Sequence, residues 1–343
     1  MVSIVLNSTV DASPRGSRQL RRYAGIGLLV PACISWGLST ALTKVVLEQL
    51  TPVDLFGIEV AVSALPLALL ALLRGARPGR PSPVLLLLGV LEPGLTYLLF
   101  DLGIRRTAAS HAALLLALDA PATLLLAVAF LRERVDLLLV SSLALGVGGT
   151  VLVTWHTDGA DASLAGDILV IGSTLTGAAY GVLARHVAPN RDVVVVTAVQ
   201  MLGALSVAVP VFVVSFAGGA SSIGTTDGAH LALAVAVGLL GGVIPFLLFN
   251  RAIARVPAVQ ASLILVLVPV VGAGASVLLL AERLSGVAVS GGLLALAGAG
   301  LAALRADDEP STTEGSATPT ADPPASDDPP VLRLPCTAPC TAG

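Results

Sequence analysis

Long apolar runs separated by short polar ones extend along almost the whole chain, at residues 24–43, 54–73, 84–104, 108–130, 137–155, 166–185, 193–215, 230–250, 257–280 and 285–304. Most are about the twenty residues that a helix needs to cross a hydrocarbon core of roughly 30 Å. They are apolar all round and lack the alternation of a barrel strand, so the pattern predicts ten transmembrane helices and no β-barrel. Composition points the same way: 55% of the 343 residues are hydrophobic, 12% are charged and the mean hydropathy is +0.91. Soluble domains carry about a quarter charged residues. The expected fold class is an all-α membrane protein.

The two ends read differently from the middle. Residues 1–22 are polar and close with Arg15, Arg18, Arg21 and Arg22. The apolar run that follows is long for a signal-peptide core and shows no small-residue cleavage site, so an uncleaved first helix is expected. From Ala306 onward there are eight prolines and seven acidic residues against Arg333 alone. A segment of that composition buries too little apolar surface to offset its ordering entropy, and 306–343 is expected to be a disordered acidic tail. Cys33 falls in the first run and reads as a small hydrophobe. Cys336 and Cys340 form a CTAPC whose spacing suits a disulfide, a metal clip or neither. Lys and Arg resist translocation in short loops. Numbering the runs in order, fourteen of them fall on the side of the N-terminus and only Lys44, Arg105, Arg106 and Arg283 on the other. The expectation is a multi-pass protein of the plasma membrane with both termini in the cytoplasm.

An internal repeat organises the runs. A shift of 149 residues lays Gly89 on Gly238, Leu98-Leu99-Phe100 on Leu247-Leu248-Phe249, Asp101 on Asn250, Ile104 on Ile253 and Arg106 on Arg255. It also takes His111 to Gln260, and the RERV around Glu133 to the AERL around Glu282. The chain therefore reads as two five-helix units, 23–156 and 157–305. Five is odd, so the second unit enters the membrane from the opposite side, and the units are related by a pseudo-two-fold axis in the membrane plane. Secondary transporters use this plan, with the substrate near the midplane at the repeat interface.

Matched helix breaks sharpen that expectation. The third run reads GVLEPGLTYLLF, with Pro93 and Gly94; the eighth reads GLLGGVIPFLLF, with Gly241, Gly242 and Pro245. Proline removes a backbone donor, and irregular backbone at that depth must line a cavity or be covered by protein. Pro121 and Pro269 form a second pair, one residue out of register. The alternative, prolines that only kink helices for packing, stays open here.

The segment WGLSTALTKVVLEQLTP in the first run, the RERV and AERL glutamates, and Gly166-Asp167 ahead of the sixth run resemble the EamA-type permeases of the drug/metabolite transporter superfamily over about residues 24 to 305. The resemblance implies ten helices, termini inside, and movement of small metabolites such as amino acids, proton-coupled or downhill. One departure is that many members carry an arginine early in the second helix, where this chain has Glu59.

Ionisable side chains inside a bilayer are expensive, at least about 2.5–3.5 kcal/mol on insertion scales, and mark function by default. Glu92 and Asp119 fall near mid-depth and are the first candidates for substrate or proton binding. His111 lies eight residues before Asp119, on a broad shared face, and a histidine beside a carboxylate titrates near neutrality. Trp36, Tyr97, Tyr180 and Phe246 are candidate cavity aromatics, Asn250 and Gln260 are the second-half counterparts of Asp101 and His111, and Glu59 sits shallow in the second run. Lys44 and Arg185 read as snorkelling ends. Glu133 and Glu282 read as acids at helix starts. Asp101 and Arg105 are spaced i, i+4 and read as a local ion pair, which the second half loses at both positions, Asn250 and Ala254.

No GxxxxGK[ST], HExxH or Cys/His cluster occurs, so no cofactor or metal is expected. An intramembrane aspartyl-type protease is the rival enzyme class, but Asp101 and Asp119 map to Asn250 and Val268. A receptor or assembly protein without flux is the third. The expected partners are a small-molecule substrate, the lipid bilayer, protons as a coupling ion and a second copy of the chain as a homodimer; nothing suggests nucleic acid.

Overall fold

A computed structural model describes residues 14–74, 82–131, 136–155, 163–184, 192–253 and 264–308. Every regular element among them is helical. In chain order they are α1 (Pro14–Val46), α2 (Pro52–Leu73), α3 (Pro83–Gly89), a π turn (Val90–Leu95), α4 (Thr96–Ile104) and α5 (Ala109–Leu115). A 3-10 turn (Leu116–Leu118) leads into α6 (Asp119–Leu131), followed by α7 (Leu137–Trp155), α8 (Leu164–Ala184) and α9 (Val193–Ala217). Then come α10 (Gly228–Gly238), a second π turn (Leu239–Val243), α11 (Ile244–Ile253), α12 (Leu267–Leu280) and α13 (Gly286–Asp308).

Local chemistry sets the helix starts. Thr51 caps α2 by accepting from the Asp54 amide, and Pro52 occupies the first turn, where its missing donor is no loss. Asp192 caps α9 through the Val194 amide at 2.7 Å, and Asp227 caps α10 through the His230 amide at 2.8 Å.

Six helices are long and apolar enough to cross a membrane: Tyr23–Val46, Pro52–Leu73, Pro83–Ile104, Leu164–Ala184, Val193–Ala217 and Gly228–Ala252. Shorter apolar helices cover Val140–Val153, Leu267–Leu280 and Gly286–Leu301. The expected ten is thus met by six on length and composition among the described residues. The fourth run is divided by its 3-10 turn, and much of the ninth lies outside the described residues. Of the expected tail, 306–343, the first three residues continue α13 to Asp308, and 309–343 lie outside the described residues.

Large apolar side chains face outward, and several polar ones are buried among an apolar core. Leu73, Val214 and Leu278 are 76%, 74% and 84% exposed, while Asp54, Glu59, Asp101, Asp167 and Gln200 are buried. Surfaces of that kind fit a hydrocarbon solvent, where apolar burial drives little and close backbone packing does more. The α7–α13 contact shows it. A β-carbon on Gly291 would sit 2.7 Å from the Gly149 carbonyl oxygen, and one on Gly298 would sit 2.6 Å from the Gly146 nitrogen. Ser142 Oγ adds a hydrogen bond to the Gly298 carbonyl at 2.8 Å.

Packing partners swap between halves as a two-fold relation requires. α4 packs on α8, and its repeat mate α11 packs on α1, the mate of α8. Likewise α3 packs on α9 while α10 packs on α2, and α6 packs on α8 while α12 packs on α1. The self-paired contacts, α2 with α9, α5 with α12 and α7 with α13, join the two halves along the middle. Each broken helix therefore rests on two helices of the other half.

Candidate functional site

The helical hydrogen-bond ladder opens twice, at Val90–Leu95 and Leu239–Val243. At the first opening Glu92 is extended (φ −141°, ψ 122°), and the Glu92–Pro93 peptide is cis. Thr96 Oγ1 donates to the Leu91 carbonyl at 2.9 Å. At the second, side chains of the first half satisfy the carbonyls. Ser63 Oγ donates to Gly238 O at 3.1 Å and Ser35 Oγ to Leu240 O at 2.6 Å. Trp36 Nε1 and Tyr97 OH both donate to Gly241 O, at 2.8 and 2.5 Å. Without these donors the carbonyls would be unsatisfied in a water-poor interior.

Matched glycines seat the two breaks. A β-carbon on Gly89 would overlap the Gln200 backbone of α9, and one on Gly238 would come within 3.1 Å of the Glu59 Cα of α2. Glu59 and Gln200 are each the eighth residue of their helix. They are structural counterparts, a relation the 149-residue shift misses because the stretch that follows them, up to Gly89 and Gly238, is eight residues longer in the second half.

Around the first break, α4 and α6 both pack on α8 and bring a group of polar side chains together. Gly177 of α8 marks its centre: a β-carbon there would be 3.4 Å from Asp119 Oδ1, 3.5 Å from Glu92 Oε2 and 4.0 Å from Thr96 Oγ1. Those two distances bound the carboxylate separation at 6.9 Å. Asp119 is exposed and Glu92 is half-buried. Thr96 and Thr176 share a hydrogen bond of 2.8 Å along one wall. Tyr180, one turn beyond Gly177, senses the Glu92 charge and accepts from Gln200 Nε2 at 3.3 Å. Among the described residues no lysine, arginine or histidine forms an ion pair with Glu92 or Asp119.

A second acidic pair joins α2 to α4. Glu59 and Asp101, 4% and 1% exposed, bring their carboxyl groups together. This corrects the expected Asp101–Arg105 pair: the Arg105 guanidinium donates instead to Leu50 O at 3.3 Å. In the second half the same frame carries Gln200 and Asn250, and Asn250 Nδ2 donates to Thr197 Oγ1 at 3.0 Å.

The other candidates scatter. His111 is not near the Glu92–Asp119 chemistry: the 3-10 turn rephases the helix between His111 and Asp119, and His111 faces Asp167, whose Oδ1 accepts from Thr107 Oγ1 at 2.6 Å. Trp36 meets Phe246 and Phe249 edge-on at 5.6 and 5.7 Å, and Phe246 is 1% exposed, so this aromatic group is core around the second break and Phe246 does not line a cavity. Tyr97 sits between the acids, within electrostatic reach of Glu92, Glu59 and Asp101. Pro121 and Pro269 are each the third residue of a helix, α6 and α12, and each follows an interruption of the α-helix, the 3-10 turn at Leu116–Leu118 and a turn at Val266. Glu282 does not serve its own helix; its two oxygens accept from the Ala109 and Ser110 amides at 2.8 Å each and cap α5. Lys44 Nζ donates to Ile104 O at 2.9 Å and Thr107 O at 2.7 Å, a cation on the end of α4 rather than a free snorkel. Gln260, Glu133 and Arg185 lie outside the described residues. Sequence reading missed Thr96, Gly177 and Gln200; a threonine, a glycine and one glutamine in apolar helices carry no pattern of their own.

Two successive stretches, residues 23–155 and 164–304, match the model of the EamA-like transporter family. The chain belongs to that family. The two matched stretches of this EamA-like transporter coincide with the two halves that exchange packing partners. A search of the curated proteins found no match. A solved crystal structure, titled only as that of a protein, is similar at 18% identity with a TM-score of 0.61, over 83% of this chain and 98% of that one; it shares the fold.

Proposed function

We propose that this EamA-like transporter is a secondary permease, moving a small metabolite such as an amino acid or related compound across the plasma membrane by alternating access. The observation that carries this reading is the Glu92–Asp119 site, which sits at a helix break and is walled by α4 and α6 of the first half and α8 of the second. Rocking of one half against the other would open such a site to either side in turn. Ten crossing segments with both termini cytoplasmic complete the topology, as the arginine distribution favours. Protons are the coupling ion in this reading, bound by the buried carboxyls; the Glu59–Asp101 pair takes the place of His111 beside Glu92 and Asp119 in that role. Purified protein in liposomes without ATP should carry out uptake and counterflow of a small metabolite. Absence of flux across amino acids, amines, organic acids and sugars, in vesicles shown to contain folded protein, would overturn it.

A further inference from the structure

We infer that this site selects organic cations: its ligand carries an ammonium group held between Glu92 and Asp119. The inference rests on the permease reading and names the substrate class of that site. Two carboxylates no more than 6.9 Å apart flank Gly177, so one organic cation can lie beside both. Neither has a basic partner among the described residues. A carboxylate stripped of water and left without a counter-charge is unfavourable, and a bound cation supplies that charge, whereas an anion would add a third like charge.

An independent feature points the same way. Gln200 is 2% exposed, and its Oε1 has no hydrogen-bond partner. Its Nε2 is tied to the hydroxyl of Tyr180, which stands on the Gly177 face of α8 within electrostatic reach of Glu92. This unsatisfied acceptor stands directly behind Tyr180 and adds to the acceptor excess on that side of the acids. The Thr96 and Thr176 hydroxyls on the same wall can each accept a further hydrogen bond. Gly177 keeps the space clear, since any larger residue would project between the two acids.

The test uses the full chain, in detergent for binding and in liposomes for flux. The probes are putrescine, tetraethylammonium, succinate, leucine, and 1,4-butanediol as the uncharged analogue of putrescine. Putrescine or tetraethylammonium should bind and be transported, with butanediol at least about tenfold weaker. Asp119→Asn and Glu92→Gln should each weaken cation binding by roughly tenfold or more, and Asp119→Glu should restore most of it. Gly177→Val, which leaves both charges in place, should block binding, so the inference stays testable if the amide variants fail to fold. Transport of succinate, leucine or butanediol with no cation binding would overturn the inference and leave the permease reading standing. Cation binding lost in Asp119→Asn but without flux of any probe would do the reverse. Cation binding unchanged in all three site variants would overturn the inference outright.

Discussion

Glu59 and Asp101 bring their carboxyl groups together at the position where the second half places Gln200 and Asn250. The fold therefore accommodates either acids or amides in this frame. Replacing both acids, Glu59→Gln with Asp101→Asn, should leave thermal unfolding in detergent near the parent. Asp101→Ala alone strands a buried glutamate and should cost about 1–3 kcal/mol; equal losses in the two variants would sink the idea that the acids are dispensable for folding. The Gly241 carbonyl offers a second residue-scale check. It accepts from both Trp36 and Tyr97. Tyr97→Phe leaves one donor and should be mild, about 1 kcal/mol, while Tyr97→Phe with Trp36→Phe should exceed the sum of the singles, because only then is the carbonyl bare. Outside the membrane, the Asp227 carboxyl is held below its ordinary range, first by the His230 amide and then by the His230 and Gln49 side chains. A depressed acid confers stability that is complete above its unfolded value, about 3.9, and is lost as pH falls through the lower native value. Asp227→Asn keeps a cap, so protection of the His230 amide from hydrogen exchange should become insensitive to acid in the variant and decline with acid in the parent.

At the scale of elements, helix pairs are held by contacts that side-chain hydrophobicity does not report. Gly149 and Gly291 let α7 and α13 touch backbone to backbone, whereas Gly148, the next residue, faces open space. Gly149→Leu should abolish a monodisperse gel-filtration peak and Gly148→Leu should not; the same profile for both would refute the packing role. Glu282 likewise works on a neighbour, capping α5 across a gap of more than 170 residues. Glu282→Ala should cost about 1 kcal/mol, and it should raise hydrogen exchange at Ala109 and Ser110 ahead of the rest of the bundle.

For the molecule as a whole, the exchange of packing partners means that each broken helix leans mainly on the other half. The third run rests on α8 and α9, the eighth on α1 and α2. The Glu92–Asp119 site is therefore a property of the two halves together, and movement between them changes who can reach it. With Cys33, Cys336 and Cys340 replaced by serine, Thr176→Cys should react with a membrane-impermeant thiol reagent, and Phe246→Cys should not. Protection of the first by an added organic cation would tie access to occupancy; equal reactivity at both positions would refute access to the site.

Composition and periodicity alone determined that this is a helical membrane protein, because every long segment must satisfy its own backbone in lipid, and a helix does so locally. The 149-residue repeat and the Pro/Gly interruptions at Pro93 and at Gly241-Gly242 were likewise legible, since repeats and missing donors are written in residue order. Which polar groups meet was not. Arg105 is four residues from Asp101 and still binds Leu50, while Glu59, forty-two residues earlier in the chain, takes its place. His111 and Asp119 are neighbours on an ideal helix and part company at a 3-10 turn. Helix faces are set by the phase of each segment and by the depth at which small residues let partners approach. Only the packed structure fixes those two quantities, and with them the site where Gly177 leaves room between Glu92 and Asp119.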